Sequence, residues 1–147
     1  MVKILKEKVK SNFDGTIIDI ETIGNFNNGF NDSRRYQQIR PVIFGFIDSD
    51  GLSIYCAKRE ESIKKLHEKI SLTLDKLERP FYAYNSIFET GVFFHSLNRK
   101  VTIERELNVE MYEAKRYAVS LFKIPQYGDP FNDNGKLCME AWLNGQL

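Results

Sequence analysis

The chain has 147 residues, 42% of them hydrophobic and 13% aromatic, with 21 Lys and Arg against 20 Asp and Glu for a net charge of +1. That length fits one globular domain with a real core, and the near-neutral balance excludes recognition by bulk charge, leaving electrostatic steering to local clusters. No apolar run approaches the roughly 20 residues that cross a membrane, and Met1 to Lys10 lacks the apolar stretch of a signal peptide. The expectation is therefore a soluble, cytoplasmic protein with no membrane partner. Cys56 and Cys138 are far apart and lack metal-ligand spacing, as befits free thiols in a reducing compartment. The sequence sets no oligomeric state.

Residues 1–14 alternate Lys with Val, Ile and Leu, which suits an arm or an added edge strand. Thr16 to Glu21 reads as the first core strand. Residues 22–40 form a long polar loop that carries Arg34, Arg35 and Arg40 among Phe26, Phe30 and Tyr36. Loops of that length are commonly functional. Interleaved guanidinium groups and rings suit the phosphates and bases of a nucleic-acid strand, and equally suit a solvated loop anchored by its aromatics.

Pro41 to Asp48 is a hydrophobic strand, Asp50-Gly51 signals a turn, and Leu52 to Ala57 returns as its hairpin partner. Ile63, Leu66, Ile70, Leu74 and Leu77 recur at helical spacing, so a helix is predicted from about Glu60 to Leu77, closed by Arg79-Pro80. Phe81 to Tyr84 is a short strand that feeds a helix from Asn85 to about Asn98. Val101 to Val109 has β character, and Met111, Ala114, Ala118, Leu121 and Phe122 repeat at helical spacing. A loop over 126–135 and a helix over 136–144 follow, with Gly145 just past its end. A hairpin followed by alternating helices and strands is a mixed-sheet α/β pattern.

Two places carry candidate chemistry. In Ile18-Asp19-Ile20-Glu21-Thr22 the carboxylates are two residues apart on a strand, so they share a face, roughly 6.6 Å apart along the chain. Paired carboxylates repel unless a cation neutralises them, and hard divalent ions choose such oxygen ligands. The second place is Tyr84-Asn85-Ser86-Ile87-Phe88-Glu89. Ser86 and Glu89 have the spacing of a capping box, a role that competes with metal binding by Glu89. His67 and His95 read as packing or surface histidines, and Trp142 as a core anchor. The loop at Asp133-Asn134-Gly135 lacks the ligand spacing of an EF-hand.

Taken together and in this order, the two motifs resemble the ribonuclease-H-like 3′–5′ exonuclease superfamily of DEDD type, over roughly residues 15–122. The resemblance implies a mixed sheet flanked by helices, one nuclease domain over 1–147, and hydrolysis of DNA or RNA with two Mg²⁺ or Mn²⁺ ions. It assigns Asp19, Glu21 and Glu89 as catalytic metal ligands, with Asp19 bridging both ions. Asn85, Thr22, Arg34 and Arg35 become candidate substrate contacts. The sequence departs from the family at two points. Glu89 stands where an Asp is usual, and no Tyr or His has the fourth Asp at the family's spacing. Asp129 and Asp133 in the loop and Glu140, the only acid on the last predicted helix, are the downstream candidates, and none has the family's spacing. Relatives with this ending are expected to continue past that helix with the segment that carries the fourth ligand. These departures keep two rivals open: a nucleic-acid-binding or scaffold module that has lost efficient catalysis, and a small interaction domain with a solvated acidic strand end.

Overall fold

The computed structural model describes residues 1–108 and 134–147. Its strands are β1 (Val2–Lys8), β2 (Thr16–Ile23), β3 (Arg40–Asp48), β4 (Gly51–Ala57), β5 (Phe81–Ala83) and β6 (Arg105–Glu106). Its helices are α1 (Ile63–Leu74), α2 (Ser86–Ser96) and α3 (Gly135–Leu143), with single 3-10 turns at Ser33–Tyr36 and Glu60–Ser62. The helix expected over Met111 to Phe122 lies outside the described residues, as do Asp129 and Asp133.

The strands form one mixed sheet in the order β1-β4-β3-β2-β5-β6. The first four strands pair antiparallel, while β5 runs parallel to β2 and β6 parallel to β5. This is an α/β fold whose hairpin on one side of β2 and parallel strands on the other are consistent with a ribonuclease-H-like arrangement. The N-terminal segment is an added edge strand, zipped to β4 from Val2↔Ala57 to Lys8↔Gly51. Gly51 makes that pairing possible. Its φ is +131°, and a Cβ there would come within 2.1 Å of the Glu7 carbonyl oxygen.

The apolar stripe of α1 (Ile63, Leu66, Ile70, Leu74) is buried against β3 and β4. The helix stops at Leu74, short of the expected Leu77, where the Lys76 N–H turns back to the Thr73 carbonyl three residues before it and tightens the last turn. Leu77 still packs against the core from that turn. On the sheet, Phe44 and Tyr55 sit 6.1 Å apart between ring centres, and Phe93 of α2 meets Phe44 edge-on at 6.3 Å. Trp142 of α3 is buried and donates its indole N–H to the Ala57 carbonyl at 2.7 Å.

The strand expected over Val101 to Val109 shrinks to Arg105–Glu106. The reason is local. The Glu104 carboxylate accepts the Phe81 N–H at 2.7 Å and also pairs with Arg79, so a side chain replaces the ladder there. Strand pairing begins only at Tyr82↔Arg105. Among the described residues no helix is long and apolar enough to cross a membrane.

Candidate active site at the end of β2

β2 alternates as its sequence dictates: Ile18 and Ile20 are buried while Asp19 and Glu21 are exposed on the opposite face. Asp19 lies across from Gly45 of β3, and residues opposite each other in a ladder share a face. Among the described residues, a Cβ at Gly45 would come near the Ser53 carbonyl oxygen alone, at 3.9 Å. Immediately after Glu21 the register slips: Glu21 opposes Ile43, but Thr22 opposes Pro41. Val42 is the extra residue of this bulge, and Pro41 has no N–H to give the ladder. A bulge re-aims the side chains around it, and Thr22 sits half-buried within this one.

The third acid comes from the turn between β5 and α2. Asn85 occupies the N-cap position with φ −143° and ψ 72°, and its side chain makes no capping hydrogen bond. Its carbonyl accepts the N–H groups of Phe88 and Glu89 at 2.9 and 3.3 Å. The capping box expected of Ser86 and Glu89 does not form. With Asn85 as the cap, Glu89 is the fourth helical residue, one beyond the position from which a glutamate reaches back. Ser86 instead donates its N–H and its hydroxyl to Glu106 of β6, at 2.8 and 2.5 Å. Sequence reasoning missed Glu106; its only signal was an acid within a segment of β character.

Glu89 consequently points inward. It is 3% exposed, and its Oε2 has no hydrogen-bond partner among the described residues. Burial pushes its carboxyl up to about 8, with the charges of Asp19 and Glu106 adding to the rise. The Asp19 carboxyl is raised as well, because the surrounding protein desolvates it even though the residue still opens to solvent; a backbone hydrogen bond at Ile20 opposes the shift. The structure thus brings Asp19 and Glu89 into electrostatic contact and sets Glu21 on the same strand face as Asp19. Among the described residues no three His, Cys, Asp or Glu side chains gather closely enough to hold one ion.

The loop over 24–39 packs against this corner. Tyr36 stacks edge-on with Phe88 at 5.6 Å and with Phe26 at 5.9 Å, and Phe26 meets Phe88 at 6.3 Å. The arginines differ in what they have left to offer. Arg34 is held by Asp32 through hydrogen bonds of 2.7 to 3.0 Å and lies 4.2 Å over the Phe30 ring. Arg40 is paired with Glu60. Arg35 lies 5.6 Å from the ring centres of both Phe26 and Tyr36, and its buried Nε has no hydrogen-bond partner among the described residues. His67 is bound to the Pro41 carbonyl at 3.0 Å, and His95 reaches Ser33 Oγ at 3.4 Å; neither ring joins the acids.

No protein-family model matches the chain, and no curated protein or solved structure is detectably similar to it. What the site can do follows from its own residues. A carboxylate buried beside a second one has two stable states, protonated or neutralised by a cation. The orphaned Oε2 of Glu89 next to the accessible Asp19 fits an oxygen-preferring divalent ion, which keeps waters and phosphate oxygens in the rest of its shell.

Proposed function

We propose that the chain is a divalent-cation-dependent nuclease domain that hydrolyses phosphodiester bonds of DNA or RNA from a 3′ end. The observation that carries this reading is the buried, unpartnered Oε2 of Glu89 in the field of Asp19. An unsatisfied buried acceptor costs about 1–3 kcal/mol, a cost that a bound ion relieves. Asp19 and Glu89 would hold Mg²⁺ or Mn²⁺, with Glu21 on the same face of β2 as Asp19. When bound, such ions generate a hydroxide nucleophile from water and stabilise the leaving oxygen.

The chain's own groups supply orientation. The uncapped Asn85 amide precedes Glu89 by one helical turn, the Thr22 hydroxyl follows Glu21, and Arg35 offers an uncommitted charge to phosphate. Arg34, tied to Asp32, is the weaker candidate for that role. The sheet order adds support, since it sets both acidic motifs at the junction of β2 and β5.

The test is degradation of end-labelled single-stranded DNA and RNA in Mn²⁺ by wild type and Asp19→Asn. Stepwise shortening from the 3′ end, lost in the variant, is the expected result. No cleavage by folded wild-type protein would sink the reading. A second reading, a nucleic-acid-binding module without catalysis, draws on the proton that Glu89 holds up to about pH 8, which lets that buried carboxyl rest neutral with no ion. It predicts salt-sensitive binding in chelator and no cleavage under any metal.

A further inference from the structure

A cavity of about 540 Å³ lies between the Asn31–Tyr36 stretch of the loop and the outward side of α2. Arg35 and Tyr36 line it from the loop, Ile87, Thr90 and Phe94 from the helix, and Lys100 from the segment after it. The wall between loop and helix is fixed by Gly91. A Cβ there would fall 2.4 Å from Tyr36 Cδ2, so the missing side chain is what lets the ring lie flat on the helix.

The chemistry of this cavity is uneven in a telling way. The one acid among its described lining residues, Asp32, is already neutralised by Arg34. Arg35 and Lys100 make no ion pair among the described residues, and Arg35 Nε is buried without a partner. Two uncommitted cations therefore face a space whose apolar lining is also uncovered: Ile87 is 75% exposed and Phe94 49%. Ser86 and Thr90 add hydroxyl groups. Small-molecule sites span about 300–1,000 Å³ and are mostly apolar with a few polar groups. A flat apolar ring system joined to an anion satisfies both halves of the lining, and that combination is a nucleotide.

Position narrows the occupant. Ser86 lines the cavity and Glu89 lies in the same first turn of α2, so the cavity adjoins the turn that carries one of the acids. We propose that the cavity seats one nucleotide of a single strand whose 3′ end lies at Asp19 and Glu89. Its base lies against Ile87 and Phe94, and its phosphate lies between Arg35 and Lys100. The identity of the strand rests on the nuclease reading; the cavity's preference for a nucleotide does not.

Fluorescence anisotropy of labelled ten-residue oligothymidylate and oligouridylate, titrated in chelator at several salt concentrations, tests this without cleavage. Lys100→Glu, at an exposed position that leaves the fold intact, is expected to weaken binding at least 10-fold and to lower the salt slope by about 0.7 or more. Thr90→Trp, which fills the space without changing charge, is expected to weaken binding as well. Lys64→Glu on α1, with the same change in charge away from the cavity, is expected to bind like wild type. Binding by Lys100→Glu and Thr90→Trp within twofold of wild type would overturn the proposal, as would no binding by wild type. Displacement of the oligonucleotide by polyglutamate at equal charge would reassign the cavity to an acidic protein. Cavity-dependent binding without cleavage by wild type would remove the nuclease reading and leave the cavity standing; cleavage with unaffected cavity variants would do the reverse.

Discussion

Ser86 gives both its backbone N–H and its hydroxyl to one carboxylate oxygen of Glu106, joining the start of α2 to the last parallel strand of the sheet. Glu106 thereby caps the helix in place of Glu89. A negative group at a helix N-terminus also complements the exposed N–H dipoles there. Two properties of the site have this one origin: α2 starts where β6 holds it, and Glu89 is released to turn inward.

Removing that cap should loosen α2 and also take away one of the charges that raise the Glu89 carboxyl. Glu106→Ala is expected to cost about 1 kcal/mol, the usual cost of a lost N-cap. For a chain of this size that corresponds to a fall in Tm of roughly 2–4 °C. Thermal unfolding followed by circular dichroism at pH 7 measures it. An unchanged Tm would mean that the Ser86–Glu106 contact contributes nothing to the helix.

Glu89 makes stability depend on pH in a direction opposite to that of most carboxylates. Its carboxyl titrates at about 8 in the folded protein against the ordinary 4.5. Between those values the folded state binds more protons than the unfolded chain, so stability falls as pH rises through the window and is complete below about 4.5. Glu89→Gln removes the titration and keeps the shape. In the absence of metal, its Tm should match wild type near pH 5 and exceed it at pH 8.5. The gain should be about 10 °C or more, corresponding to a contribution on the order of 5 kcal/mol. Parallel Tm curves for the two proteins across that range would show that Glu89 is not desolvated as described.

Much of this was legible in the sequence, for identifiable reasons. The alternation in β2 follows from Ile18 and Ile20 flanking Asp19, and a period of two admits only one set of faces. The hairpin and α1 were equally plain, since Gly51 and the Ile63–Leu74 stripe are local signals. Contacts that join distant segments were not legible. The Ser86–Glu89 spacing is a valid local signal for a capping box, and only the arrival of Glu106, twenty residues later, overrides it. Likewise, residues 22–40 read as a long polar loop with interleaved arginines and rings, and nothing local announced that Asp32 caps a 3-10 turn at Ser33–Tyr36 or that Tyr36 fits against Gly91. A glycine inside a helix announces a close neighbour but does not say which one.

That fit is itself testable. Gly91→Ala gains helix propensity, worth about 1 kcal/mol for an exposed site, yet its methyl would meet the Tyr36 ring at 2.4 Å. Overpacking of this kind costs about 1–3 kcal/mol, and Tyr36 is buried with little room to give. The net expectation is a lower Tm together with faster proteolysis in the 24–39 loop. A rise in Tm would show that Tyr36 moves aside freely and that the loop is not held by this contact.

The last expectation links the acids to an ion through protons. If Asp19 and Glu89 share a divalent cation, the ion must displace the proton that Glu89 holds up to about pH 8. Metal binding then releases close to one proton per site at pH 7. Apparent affinity for Mn²⁺ should improve about tenfold per pH unit from 6 to 7.5 and level off above 8. At 100-fold excess over Kd the ion adds about 2.7 kcal/mol of stability, a rise in Tm of several degrees at pH 8. Asp19→Asn should abolish both the rise and most of the proton release. Calorimetric titration in two buffers of different ionisation enthalpy counts the protons directly. A heat that is the same in both buffers would mean that the ion binds elsewhere, even if it stabilises the protein.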